Sequence, residues 1–144
     1  MDLGENIVLG GIQPSLTKVY YFINTTYGET SNPHYHIAVP TNNGNYILMV
    51  MFTTQIDETK ELYTTVKREA LHSLIEVKKE DLCFLSQDSL LDCNKTLFKT
   101  KEELQAIISS IEYKDANLTE EFVSKIKEAI SKSPLVRPII KKSL

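Results

Sequence analysis

The sequence predicts an α+β protein, mainly β, in which a small closed β-barrel is followed by two α-helices. From Lys18 to about Lys99 the chain is rich in β-branched and aromatic residues, set in short runs separated by turn chemistry. From Thr100 to Lys132 apolar residues instead recur at helical spacing among many Glu and Lys. At 144 residues, with 42% hydrophobic and 24% charged residues, the chain suits one domain able to bury a core without disulfide or metal staples. The expected organisation is a single domain over 1–144, with a β-barrel body over 1–100 and a helical extension over 101–144.

Gly4, Gly10, Gly11 and Pro14 punctuate a start with room for at most a short strand at Ile7–Leu9. Val19, Tyr21 and Ile23 alternate with Tyr20 and Phe22, so Lys18–Asn24 reads as a strand apolar on both faces and covered on both sides. Tyr27–Pro33 holds the small and polar residues of a flexible loop, which feeds a strand His34–Val39 ended by Pro40. The two-residue period of a strand sets Tyr35, Ile37 and Val39 on one face and His34, His36 and Ala38 on the other. Asn42-Asn43-Gly44 is hairpin chemistry, because Asn and Gly tolerate positive φ, and the partner strand is Tyr46–Phe52.

The insertion over 56–72 carries charges every few residues and reads as a long loop or a short helix, either mobile or shielding part of the body. Ser73–Val77 and Leu82–Leu85 read as a strand pair joined through Lys78–Asp81, with Leu90–Phe98 as a final strand. Closing five or six such strands into a barrel would remove exposed edges. Thr100-Lys101-Glu102-Glu103 matches a capping box ahead of Leu104, Ile107, Ile108 and Ile111. A second helix begins near Asn117 or Thr119, presents Phe122, Ile126, Ala129 and Ile130 on one face, and stops before Pro134.

Composition narrows the function classes. The longest nearly unbroken apolar run, Tyr46–Phe52, is far shorter than the ~20 residues a membrane span requires, so no membrane partner is expected. Met1–Glu5 has two acids, no basic start and no apolar stretch after it, which argues against a secretory signal and for a cytoplasmic location. Cys83 and Cys93 lack CxxC spacing and are expected to be reduced core thiols. A net charge of −3 argues against a whole-surface nucleic-acid coat but leaves room for a local basic groove. No phosphate-binding glycine loop, dinucleotide fingerprint, nucleophile elbow or H-E-x-x-H occurs, and no cofactor is expected.

Chemistry is suggested at three places. His34 and His36 project two imidazoles to one side, a pattern usable for acid–base catalysis or for metal. A metal would need a third ligand, and His72 is the conceivable one, although nothing in its spacing recommends it. The plainer alternative makes His34 a loop-edge residue and His36 a hydrogen-bonded residue of the barrel. Thr53, Thr54 and Gln55 end the most apolar strand with side chains able to bond a phosphate or a base edge, the alternative being ordinary strand residues. Hairpin pairing around Asn42-Asn43 places His34 near Met51 and Pro33 near Phe52, so Thr53 and Thr54 fall just past the imidazoles. Asp92-Cys93-Asn94-Lys95 could bind phosphate through Lys95 or form a turn between strands. The tail brings Lys132, Arg137, Lys141 and Lys142, a surface for an acidic partner or phosphates if clustered.

Four stretches together resemble the PemK/MazF family of toxins from toxin–antitoxin modules: Lys18–Phe22, Pro33–Val39, Met51–Gln55, and Leu85-Ser86-Gln87 running to Asp92–Lys95. They span roughly residues 16 to 100, and the C-terminal helices would be longer than the family's usual ending. The resemblance implies an SH3-like barrel that cleaves RNA without a metal, with a cognate antitoxin as partner and a homodimer as assembly. In that family a loop arginine and a Thr or Ser at the next strand's end act on the ribose 2′-hydroxyl and the phosphate. Thr53 or Thr54 fits the second role. The only arginines, Arg68 and Arg137, lie outside the matching loop, so His34 or His36 stands as the substitute, with Gln55, Asn94 and Lys95 as RNA contacts. Two other readings compete: a non-catalytic barrel that binds a protein through the same groove or its C-terminal helices, and a metal-dependent enzyme built on His34 and His36.

Overall fold

The computed structural model describes residues 18–22, 34–42, 46–100, 102–103, 112–115 and 118–144. Six strands form one antiparallel sheet: β1 (Lys18–Phe22), β2 (His34–Pro40), β3 (Tyr46–Thr53), β4 (Leu74–Val77), β5 (Ser89–Thr100) and β6 (Glu112–Asp115). Their spatial order is β4-β5-β3-β2-β1-β6, so the β2–β3 hairpin lies at the centre. Among the described residues β4 and β6 do not pair with one another, and the closed barrel expected from the short strands is not seen. Both edge strands are only four residues long, which limits the unpaired backbone they present.

Both faces of the central strands are out of solvent, as expected for the first strand: Val19 and Tyr20 point to opposite sides and both are buried. One face carries Val19, Ile37, Val50 and Leu91 and packs with Ile126 and Ile130 of α2, named below. The other carries Tyr20, His36, Ala38, Met49 and Leu90.

The insertion resolves into a helix, α1 (Ile56–Val66), followed by a 3₁₀ turn over Arg68–Ser73. The expected strand at Leu82–Leu85 does not form. Asp81 accepts from the Lys78 N–H at 3.2 Å and Asp88 from the Lys79 N–H at 2.9 Å, which holds 78–88 as a loop that plugs buried Leu82 and Phe84 into the core. The final strand runs longer than expected, and Glu112–Asp115, unforeseen as a strand, is recruited by pairing with β1.

The capping box is present: the Thr100 N–H donates to Glu103 Oε1 at 3.0 Å, and the Glu103 N–H donates to Thr100 Oγ1 at 3.1 Å. Leu104–Ile111 after it, the arm at Ile7–Leu9, the Tyr27–Pro33 loop and Asn43–Gly44 lie outside the described residues. The second expected helix is α2 (Glu120–Lys132), followed by the short α3 (Pro138–Lys141). Thr119 caps α2, its Oγ1 accepting from the Phe122 N–H at 3.0 Å. Thr119→Ala is expected to lower stability by about 1 kcal/mol, read as a fall in the urea midpoint with an unchanged slope.

Cys93 is a buried thiol whose ionisation is pushed far up by burial and by the neighbouring Asp92. Cys83 is exposed, which corrects the expectation that both cysteines belong to the core: it sits on the outward side of the Leu82–Phe84 plug. No described helix is long and apolar enough to cross a membrane.

Candidate functional site

Directly opposed residues of an antiparallel sheet share a face, so the pairings assemble rows of side chains across strands. One row runs Tyr20, His36, Met51, Asp92, Leu74 over five strands. The next joins Thr53, Leu90 and Glu76, and His34, two residues before His36, belongs to it. The ladder ends with Pro40 opposite Ile47, so the hairpin is centred one residue later than expected and His36, rather than His34, faces Met51. The two-residue shift keeps every side chain on its expected face and brings His34 closer to Thr53.

At this corner His34 Nδ1 donates to the Phe52 carbonyl at 3.0 Å, one residue ahead of Thr53. A carbonyl only accepts, so Nδ1 holds a proton, and Nε2 is the ring nitrogen outside this bond. His34 is half-buried. Thr53 is nearly closed off, its Oγ1 accepting from the Gln55 N–H at 3.2 Å in a tight local turn. Thr54 and Gln55 are exposed beside it, and Gln55 takes the N-cap position of α1 without a side-chain capping bond. The first turn of α1 carries Asp57 and Glu58, which suit the helix dipole and place negative charge next to the corner.

His36 lies beneath that corner, 0% exposed, with Nδ1 donating to the His34 carbonyl at 2.9 Å. Burial drives its pKa down to about 3, helped by the adjacent His34 and opposed by backbone bonds to His34 and Tyr20. It is therefore neutral at pH 7 and cut off from solvent, as in the plainer of the two alternatives for this residue. His34, Thr53, Thr54 and Gln55 are brought together, and His36 is the layer under them.

Asn94 and Lys95 are elsewhere. Val50 faces Thr96 and Met51 faces Asp92, so Cys93, Asn94 and Lys95 bulge out of β5 in mid-strand, and the motif is not a turn between strands. The bulge is built inward. Asp92 Oδ1 accepts from the Asn94 N–H and from Asn94 Nδ2, both at 3.1 Å, and Asp92 Oδ2 accepts from the Tyr63 hydroxyl of α1 at 2.8 Å. Asn94 Nδ2 also donates to the Ala70 carbonyl at 2.9 Å, while its Oδ1 accepts from the Ser133 hydroxyl at 2.6 Å. Ser133 Oγ in turn accepts from the Leu135 N–H at 3.1 Å.

One asparagine thus ties β5 to the 3₁₀ turn and to the end of α2, and its 6% exposure leaves its amide facing inward. Burial raises the Asp92 carboxyl above the usual carboxylate range, against the pull of Tyr63, Lys95 and Asn94. Lys95 is half-buried with its charge felt at Asp92. Sequence reading missed Tyr63 and Ser133 as parts of this network. The Asp-x-Asn spacing was the one available signal, since a carboxylate can bond the backbone two residues on.

His72 is exposed on the 3₁₀ turn, and among the described residues no three His, Cys, Asp or Glu are grouped to hold a metal ion. No family model matches the chain, and no curated protein matches it.

Proposed function

We propose that the chain is an RNA-acting toxin of the PemK/MazF kind, a cytoplasmic endoribonuclease whose working corner is His34 with Thr53, Thr54 and Gln55. The reading entails that family's SH3-like barrel, with the β1–β2–β3–β5 stretch of sheet as its wall, and a cognate antitoxin as partner. The observation that carries it is the bond from His34 Nδ1 to the Phe52 carbonyl, which fixes the ring at the strand end where Thr54 and Gln55 are exposed and leaves Nε2 outside that bond.

In this chemistry Nε2 takes the proton of a ribose 2′-hydroxyl and the 2′-oxygen bonds to the adjacent phosphorus. The bond from phosphorus to the 5′-oxygen breaks, and that oxygen leaves with a proton from water. The products are a 2′,3′-cyclic phosphate and a 5′-hydroxyl end. The Thr54 hydroxyl and the Gln55 amide donate to the non-bridging oxygens, and Lys95 serves the flanking backbone. Buried Asn94 supports the bulge that carries Lys95, and His36 supports His34 through its carbonyl.

The purified chain is expected to cleave single-stranded RNA in EDTA. His34→Ala should slow cleavage by about 100-fold or more and Thr54→Ala by about 10-fold. His36→Asn, altered beneath the corner, should retain cleavage if folded. Neither cleavage nor RNA binding by the folded chain would remove this reading. Cleavage abolished by chelator would replace it with a metal-dependent one.

A further inference from the structure

An aromatic row lies on the reverse face of the strand end that carries His34. Tyr21 of β1 is directly opposite Tyr35 of β2, so the two share a face, and their ring centroids are 4.5 Å apart. Tyr35 is 5.0 Å from Phe84 of the 78–88 loop, and Phe84 is 5.5 Å from Phe52 in an edge-on contact. All three spacings are those of attractive aromatic pairs. Phe52 and Phe84 are 3% and 8% exposed, whereas Tyr21 and Tyr35 are only half-buried. The row is anchored in the core at one end and reaches solvent through two tyrosine rings at the other.

Chain connectivity ties this row to the His34 corner. Tyr35 directly follows His34, and the two-residue period sends their side chains to opposite faces of one strand end. Phe52, at the inner end of the row, accepts the His34 Nδ1 bond on its carbonyl at 3.0 Å. No acid occurs between Glu29 and Asp57, so the β2–β3 hairpin brings none to either face. Glu112 is opposite Tyr21 in the β1–β6 pairing, an acid that suits a neutral ring beside the tyrosines and disfavours a phosphate there.

We propose that Tyr21 and Tyr35 form a stacking platform for a nucleobase of single-stranded RNA, a base adjoining the phosphate held at His34, Thr54 and Gln55. The proposal rests on the RNA-cleaving reading above and adds to it a contact to base rather than to backbone. Cross-strand packing accounts for the two phenylalanines, and it leaves part of both tyrosine rings open beside the corner. Every base has a π-face, so the platform takes an unpaired nucleotide with little regard to its identity and refuses one that is paired and stacked in a duplex.

The test is binding of a fluorescein-labelled single-stranded 2′-O-methyl RNA, which lacks the hydroxyl needed for cleavage, to the full chain. Tyr21→Leu and Tyr35→Leu, each folded by circular dichroism, are expected to weaken binding by about 5- to 100-fold. Tyr21→Phe and Tyr35→Phe keep the ring and should stay within about twofold of wild type. The salt dependence of affinity should be the same in wild type and the Leu variants, because no phosphate contact is lost. An abasic oligonucleotide of the same length should bind the unaltered chain more weakly by a similar factor. On a cleavable RNA, Tyr21→Leu should raise KM and leave kcat near that of wild type. Leu variants that bind as wild type does, Phe variants that lose as much as the Leu variants, or an abasic strand bound equally well overturn the platform and leave cleavage at the corner standing. A wild-type chain that neither binds nor cleaves RNA removes the corner reading and the platform together.

Discussion

Acidification from pH 7 to pH 4 is expected to cost the fold about 3 kcal/mol through His36 alone. The imidazole has its pKa lowered from 6.5 to about 3 by burial. The unfolded chain therefore takes up a proton at this residue below about pH 6.5, while the folded chain declines it until near pH 3. Protons favour unfolding throughout that window, and the full stability stands above it.

Two other groups carry shifts that bear on acid stability. Asp92 has a raised pKa, so acid favours the folded state there and opposes the effect of His36. Glu103, on the surface, has a lowered pKa through its bond to the Thr100 N–H and adds to the loss on acidification. The measurement that isolates His36 is the difference between wild type and His36→Asn, whose amide N–H sits where Nδ1 donates to the His34 carbonyl. Urea unfolding at pH 7, 5.5 and 4 should give wild type a steeper decline, by up to about 1.4 kcal/mol per pH unit. Identical profiles would mean that the folded protein holds a protonated His36. The same burial takes His36 out of proton transfer at neutral pH.

Asn94→Leu is expected to cost about 3–5 kcal/mol, more than its change in volume explains. The substitution leaves the Ala70 carbonyl and the Ser133 hydroxyl without the partner they bond in the folded chain, and strips two donors' worth of support from Asp92 by removing Nδ2 and disturbing the turn at residue 94. A buried group deprived of its partner carries its whole desolvation penalty. Tyr63→Phe removes one donor from the same carboxylate and should cost about 1–2 kcal/mol. Because both substitutions act on Asp92, the double variant should depart from additivity by about 0.5 kcal/mol or more. Urea midpoints for the four proteins measure all of this. A loss below about 1 kcal/mol for Asn94→Leu would show that the bulge is held by packing instead.

Much of the candidate corner was legible because hairpins are local. The two-residue period alone put His34 and His36 on one face, and hairpin pairing of β2 with β3 brought Thr53 beside them with only a small shift in register. The capping box at Thr100–Glu103 was legible for the same reason, since its partners are three residues apart. Leu82–Leu85 misled because its short apolar run imitates a strand, whereas Asp81 and Asp88 bond the backbone into a loop. Glu112–Asp115 shows the reverse error: a polar tetrapeptide with no strand pattern becomes one because β1 has an open edge for it.

Strand faces, the hairpin and the helix starts follow from the order of residues, because each depends on neighbours a few positions away. The burial that neutralises His36, the mid-strand bulge and the Tyr63–Asp92–Asn94–Ser133 chain were decided only in three dimensions. They join residues 29 and 39 positions apart, and no local period encodes which polar groups will be shut away from water together. The strand order is of the same kind, for edge pairing depends on where remote segments come to rest rather than on the strands' own composition.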